Sequence, residues 1–234
     1  MVLFGGRDLS PFAPYVALAI FPVALLLGLS FNPVEFAWAF HHGLEPMPNE
    51  VRDKAESIRL CLDFLVDALI LGFVATLMLR NSVPAARVGL HLENWKSNAA
   101  LGVTAGILLI VLLRLMFKCT SIGASEIFVY RVRRGSLLLW VLIFVAGAFS
   151  EELWIAFCLV ALMANGLAMP LSVAITAVVF GAVHYGYRLG EIAVALKGTI
   201  SALLFLWSGS LIPSFLYHFI GNLSSLYWAR RGIQ

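Results

Sequence analysis

Residues 136–164 form one long apolar run, and two adjacent carboxylates, Glu151 and Glu152, stand in its middle. A run of that length suits a membrane helix, because the hydrocarbon core of a bilayer takes roughly 20 apolar residues to cross. Each acid at mid-helix carries a penalty of about 2.5–3.5 kcal/mol on insertion scales, so a pair of them needs partners elsewhere in the chain. That requirement restricts the fold to helices whose polar side chains turn inward toward one another.

Composition agrees. Of 234 residues, 61% are hydrophobic and 12% charged, with a mean hydropathy of +0.93, whereas soluble domains are about 45–50% apolar and about 25% charged. An all-α, polytopic integral membrane protein is expected, with the lipid bilayer as its surroundings. The net charge of +3 is too small to argue for a nucleic-acid partner, and the basic residues lie between apolar runs, where they act as topology signals. Cys61, Cys119 and Cys158 are odd in number and widely spaced, so they imply neither a disulfide framework nor a CxxC metal site. The oligomeric state is not legible.

Apolar run length gives about seven spans, near residues 11–30, 60–79, 97–117, 136–164, 169–187, 192–207 and 211–228. The first is too long, and lacks the small-residue site, for a cleaved signal. The polar loop 31–59 ends, from Asn49, in a stretch suited to a short amphipathic helix. Asp63 and Asp67, one turn apart on one face, are expected to hydrate near the headgroups rather than line a cavity. His41-His42 reads as a solvated pair. Ser208-Gly209-Ser210 reads as a tight turn. Basic residues are heavier on the side holding the first loop, Arg131, Arg133, Arg134, Arg188, Arg230 and Arg231. This predicts an outside N-terminus and a cytoplasmic C-terminus. No repeat or linker divides the chain. It reads as one membrane domain over 1–234, with N-terminal spans and loops in 1–135 and the chemistry-bearing core in 136–231.

That core holds an unusual inventory. Besides Glu151 and Glu152, it has His184 at the end of Phe180-Gly-Ala-Val-His184 and His218 and Asn222 in His218-Phe-Ile-Gly-Asn222. Residues four apart share a helix face, which pairs Phe180 with His184 and His218 with Asn222, while Glu151 and Glu152 diverge by about 100°. Any one of these could be interhelical glue; a jointly inert set would carry several desolvation costs with no return.

The chemistry that the set supports is attack of water on a carbonyl. A carboxylate in a low-dielectric site is shifted toward the range of a useful general base. A neutral imidazole can orient the water, and imidazole N–H and Asn amide groups are donors suited to an oxyanion. No Ser, Thr or Cys has a better claim as nucleophile; Cys158, in apolar surroundings, reads as inert. No cofactor is expected. Zinc held by Glu151, His184 and His218 is the weaker alternative, since the three come from separate helices and HExxH is absent.

The ordered motifs Glu-Glu, Phe-x-x-x-His and His-x-x-x-Asn resemble those of the CPBP family, the CAAX-type prenyl endopeptidases and bacteriocin-processing or immunity (Abi) membrane proteins. The resemblance covers about residues 137–231, and Arg87-Val-Gly-Leu90 is a weaker echo. It implies a metal-independent, glutamate-dependent intramembrane peptidase acting on a membrane-associated or prenylated protein or peptide. By position, Glu151 would activate water, His184 would help hold it, His218 and Asn222 would form the oxyanion hole, and Glu152 would support. A bacterial inner (plasma) membrane location follows from the same likeness.

One motif position departs. The family pattern Glu-Glu-x-x-x-Arg, usually followed by Gly, meets Ala156 and Phe157 here. Glu152 therefore lacks an i,i+4 cation and is expected either to be protonated or to find a donor on another helix, with Arg188 and Lys197 as candidates. A catalytically inactive protein of the same fold, serving immunity or assembly, is the alternative reading.

Overall fold

The computed structural model describes residues 41–42, 48–80, 84–119, 136–182, 184 and 190–231. The expected span at 11–30, the cluster Arg131, Arg133 and Arg134, and Arg188 lie outside them. The described residues form six α-helices and no strand: α1 (Asn49–Arg80), α2 (Trp95–Cys119), α3 (Leu137–Ala164), α4 (Met169–Ala182), α5 (Gly190–Ser208) and α6 (Leu211–Arg231), with a short 3₁₀ turn at Ala85–Val88 before α2.

Two helices are long and apolar enough to cross a bilayer, α2 over Trp95–Leu112 and α3 over Leu137–Ala164, and Met169–Ala182 and Ala193–Ser208 are shorter apolar helices. The outer surface is correspondingly apolar. Val103, Ile107, Leu108, Val111 and Leu112 of α2, and Leu203 and Trp207 of α5, all face outward. Contiguous apolar exposure on this scale is foreign to a surface that meets water.

Helix α3 is the axis. Every residue from Ser150 to Leu162 is buried, as expected of a helix enclosed on all sides. Its last turn is closed by Asn165, whose side-chain amide donates to the Ala161 carbonyl at 2.9 Å, and by Gly166 at φ +81°, a left-handed stop that glycine takes without steric cost. Around α3, α1 packs along one side, α6 along another, and α4 and α5 pair with each other and with α3.

Helix α6 is clamped from two directions. A Cβ on Gly102 of α2 would meet the Pro213 carbonyl oxygen at 2.6 Å, and one on Gly106 would meet Ile220 at 2.9 Å. The small-xxx-small spacing thus lets two backbones approach closely. From the other side, the Gly89 carbonyl accepts from the Leu211 N–H at 3.0 Å, and His91 Nε2 reaches the Gly209 carbonyl at 2.9 Å. Gly89 has φ +81°, and a Cβ there would sit 2.8 Å from Leu211 N. The Arg87–Leu90 echo therefore falls on the segment that grips the tight turn between α5 and α6.

Three expectations are corrected. Asn49–Arg80 is a single 32-residue helix, not a short helix leading into a separate span, because no Pro interrupts its register and its first Gly is Gly72. The expected span 169–187 closes as a helix at Ala182, so His184 stands in the turn beyond it. Asp67 does not hydrate at a headgroup; it is partly buried and accepts from Ser150 on α3, two residues before Glu152.

Candidate active site

The inward-facing polar side chains of α3, α5 and α6, with His184 at the end of α4, converge on one buried cluster. Glu151 and Glu152 lie at the middle of α3. Glu152 is 1% exposed and His218 2%, with Glu151 and His184 at 9% each. Each is a group that would be costly to bury alone, and the geometry shows how they are joined.

His218 is the bridge. Its Nδ1 lies 2.7 Å from Glu152 Oε1 and its Nε2 3.4 Å from Glu151 Oε2. The two glutamates diverge around α3, and one imidazole spans the gap. Glu152 Oε1 also accepts from the Ser201 hydroxyl of α5 at 2.8 Å. The missing motif arginine is thus met by donors from two other helices. Ala156 itself is fully enclosed in the apolar core, where inserting extra side-chain volume costs about 1–3 kcal/mol or more.

His184 is anchored differently. Its Nδ1 lies 2.7 Å from the Phe180 carbonyl oxygen. A carbonyl only accepts, so Nδ1 carries the hydrogen, and in the neutral ring Nε2 presents a lone pair. That Nε2 is 4.0 Å from Glu151 Oε2, beyond hydrogen-bond reach. Phe180 packs both imidazoles, its ring centroid 4.7 Å from that of His184 and 6.2 Å from that of His218. The motif phenylalanine therefore supplies both a carbonyl anchor and an aromatic wall.

Asn222, one turn beyond His218, accepts at Oδ1 from Lys197 Nζ of α5 at 3.0 Å. The Lys197 ammonium also acts electrostatically on both Glu151 and Glu152. Lys197, expected as a candidate donor for Glu152, is instead bonded to Asn222, and Ser201 and the Asp67–Ser150 contact are the parts that the motif reading leaves out. The available signals were a lysine inside an apolar helix and a serine four residues after it, on the same face.

Five residues singled out in the sequence, Glu151, Glu152, His184, His218 and Asn222, therefore stand together. Cys158 does not join them; it is buried in the apolar core. His41 and His42 are exposed. Among the described residues no three His, Cys, Asp or Glu side chains are disposed to hold one metal ion.

Residues 133–224 match the model of a protein family described as type II CAAX prenyl endopeptidase Rce1-like. The match runs from just before α3 into α6 as far as residue 224, takes in every residue of the cluster, and agrees with the resemblance carried by the three motifs. Searches of the curated proteins and of the solved structures gave no match.

Proposed function

With an Rce1-like domain over residues 133–224 as the premise, we propose that the chain is an intramembrane endopeptidase that hydrolyses a membrane-associated protein or peptide, of CAAX type or a bacteriocin or leader type, by glutamate-activated water. The observation that carries this reading is the bridging His218, held at Nδ1 by one buried glutamate and facing the other with Nε2.

The steps follow from which atoms donate and which accept. A water lodged beside Glu151 Oε2 gives its proton to that carboxylate as its oxygen attacks the scissile carbonyl carbon. The 4.0 Å gap to His184 Nε2 is of the kind that a bridging water fills. His184 Nε2, an acceptor, takes the water's second O–H as a hydrogen bond and fixes its direction. The oxyanion is met by the Asn222 amide N–H and by the His218 Nε2–H. Glu152, hydrogen-bonded to Nδ1 at 2.7 Å, holds the ring in the orientation that this needs, as a carboxylate behind a histidine does. Collapse of the intermediate breaks the C–N bond, and Glu151 returns its proton to the leaving amine. The products are a carboxylic acid and an amine, and no group on the enzyme is consumed.

In this reading the apolar outer face lies in lipid, the whole chain forms one membrane domain in a bacterial inner membrane, and the C-terminus faces the cytoplasm. The test compares the membrane and secreted peptides of cells carrying the wild-type chain with those of cells carrying Glu151→Gln. Peptides that disappear in the variant, at equal protein level, name the substrate class. Identical peptide sets, with a wild-type phenotype retained by Glu151→Gln, would falsify the hydrolytic reading in favour of a scaffold or immunity role.

A further inference from the structure

Lys197 is absent from all three motifs, yet its ammonium stands in the site beside Asn222. It sits on α5 with its Cε 3.9 Å from where a Cβ on Gly221 would be, so its stem lies over the backbone of α6 next to Asn222. Its ammonium has three hydrogens to donate and no lone pair. The side-chain atom of Asn222 that faces it at 3.0 Å must therefore be the carbonyl oxygen, and the NH₂ group must point the other way. An asparagine amide rotated by 180° would put N–H against N–H at this contact, a repulsion in place of a charge-assisted hydrogen bond.

We propose that Lys197 is a positioning residue for the hydrolysis, and that it acts by locking the Asn222 amide with its N–H donors toward the reacting carbonyl. The inference rests on the oxyanion role proposed above for Asn222 and adds what sets its orientation. An amide donor free to flip spends part of its time presenting an oxygen to an oxyanion, which opposes the reaction. A donor fixed beforehand costs no reorganisation when charge develops. The half-buried lysine also offsets charge on Glu151 and Glu152 in a helix environment that otherwise penalises them.

The experiment is a double-mutant cycle on purified full-length protein in nanodiscs, with a membrane peptide found by the peptidome comparison and thermal unfolding recorded for every variant. Asn222→Ala is expected to lower kcat about 10²–10³-fold, as for loss of one oxyanion donor. Lys197→Met, which keeps the stem and removes the donor, is expected to lower kcat about 10–10²-fold with KM unchanged, because the Asn222 amide is then misplaced rather than removed. The combined variant should be no slower than Asn222→Ala alone, since Lys197 acts through that residue. Lys197→Arg retains a donor and should recover most of kcat.

Additive losses in the cycle, or a folded Lys197→Met with wild-type kcat, overturn the proposal. If Lys197→Met does not fold, Lys197→Arg decides: a folded variant as slow as Asn222→Ala overturns the proposal, and near-wild-type kcat supports it. Failure of the underlying mechanism is read separately, since Glu151→Gln would then leave kcat unchanged whatever Lys197 does.

Discussion

The two halves of the site are built to different tolerances. Around Glu152 the contacts are short: 2.7 Å to His218 and 2.8 Å to Ser201, with Glu152 and His218 almost wholly enclosed. Around Glu151 they are longer, 3.4 Å to His218 and 4.0 Å to His184. The first set has the lengths of charge-assisted hydrogen bonds, and the second is longer. Two chemically identical side chains on consecutive residues thus have different surroundings. One is held tightly against an imidazole; the other is the one that the proposed mechanism sets beside the reacting water.

Substitutions that treat the two glutamates alike should expose this difference. Glu151→Gln is expected to lower kcat the most, by about 10²–10⁴-fold as for loss of a general base, with thermal stability close to wild type. A residual rate within ten-fold of wild type would show that the looser half is not where proton transfer occurs. His218→Ala removes one proposed oxyanion donor and should cost about 10²–10³-fold, measured as kcat in the same peptide assay. Glu152→Leu should lower kcat by about 10²-fold through misplacement of His218. Unlike Glu151→Gln, it should also lower the unfolding free energy by about 1–3 kcal/mol, because the Nδ1–H of His218 and the Ser201 hydroxyl lose a buried acceptor. If Glu152→Leu is as stable as wild type while Glu151→Gln is destabilised, the assignment of the two halves is reversed. Ser201→Ala should have the smallest effect, about 0.5–1.5 kcal/mol in stability, with activity within a few-fold of wild type.

Much of this was legible in the sequence, and the exceptions share a cause. Helices with inward polar residues follow from an apolar run carrying two acids, and the one-turn spacing of His218 and Asn222 places both on one face whatever the tertiary structure. Periodicity does not say which neighbour a face meets. Ser201 is ordinary in its own helix, and Lys197, though conspicuous there, acquires its partner Asn222 only from α6 beside it. Asp67 lies far from Ser150 in sequence, and nothing local distinguishes an acid that turns inward from one that stays hydrated. His184 falls within the expected span but outside helix α4, because hydropathy continues past Ala182 while the helix stops there. The absent arginine at position 156 follows the same logic: the sequence shows the gap, and only packing shows that donors from α5 and α6 fill it.

The grip of the Gly89–His91 segment on the turn between α5 and α6 bears on how the chain comes together as it is made. The contact from His91 to Gly209 closes over 118 residues, so the segment is synthesised long before its partner exists. It waits, already shaped by the left-handed turn at Gly89, while helices α2 to α5 emerge. Helix α6, carrying His218 and Asn222, is then seated against a surface finished earlier. Closure of the cluster therefore waits on α6, and a chain that has emerged only as far as α5 holds both glutamates without the histidine that joins them.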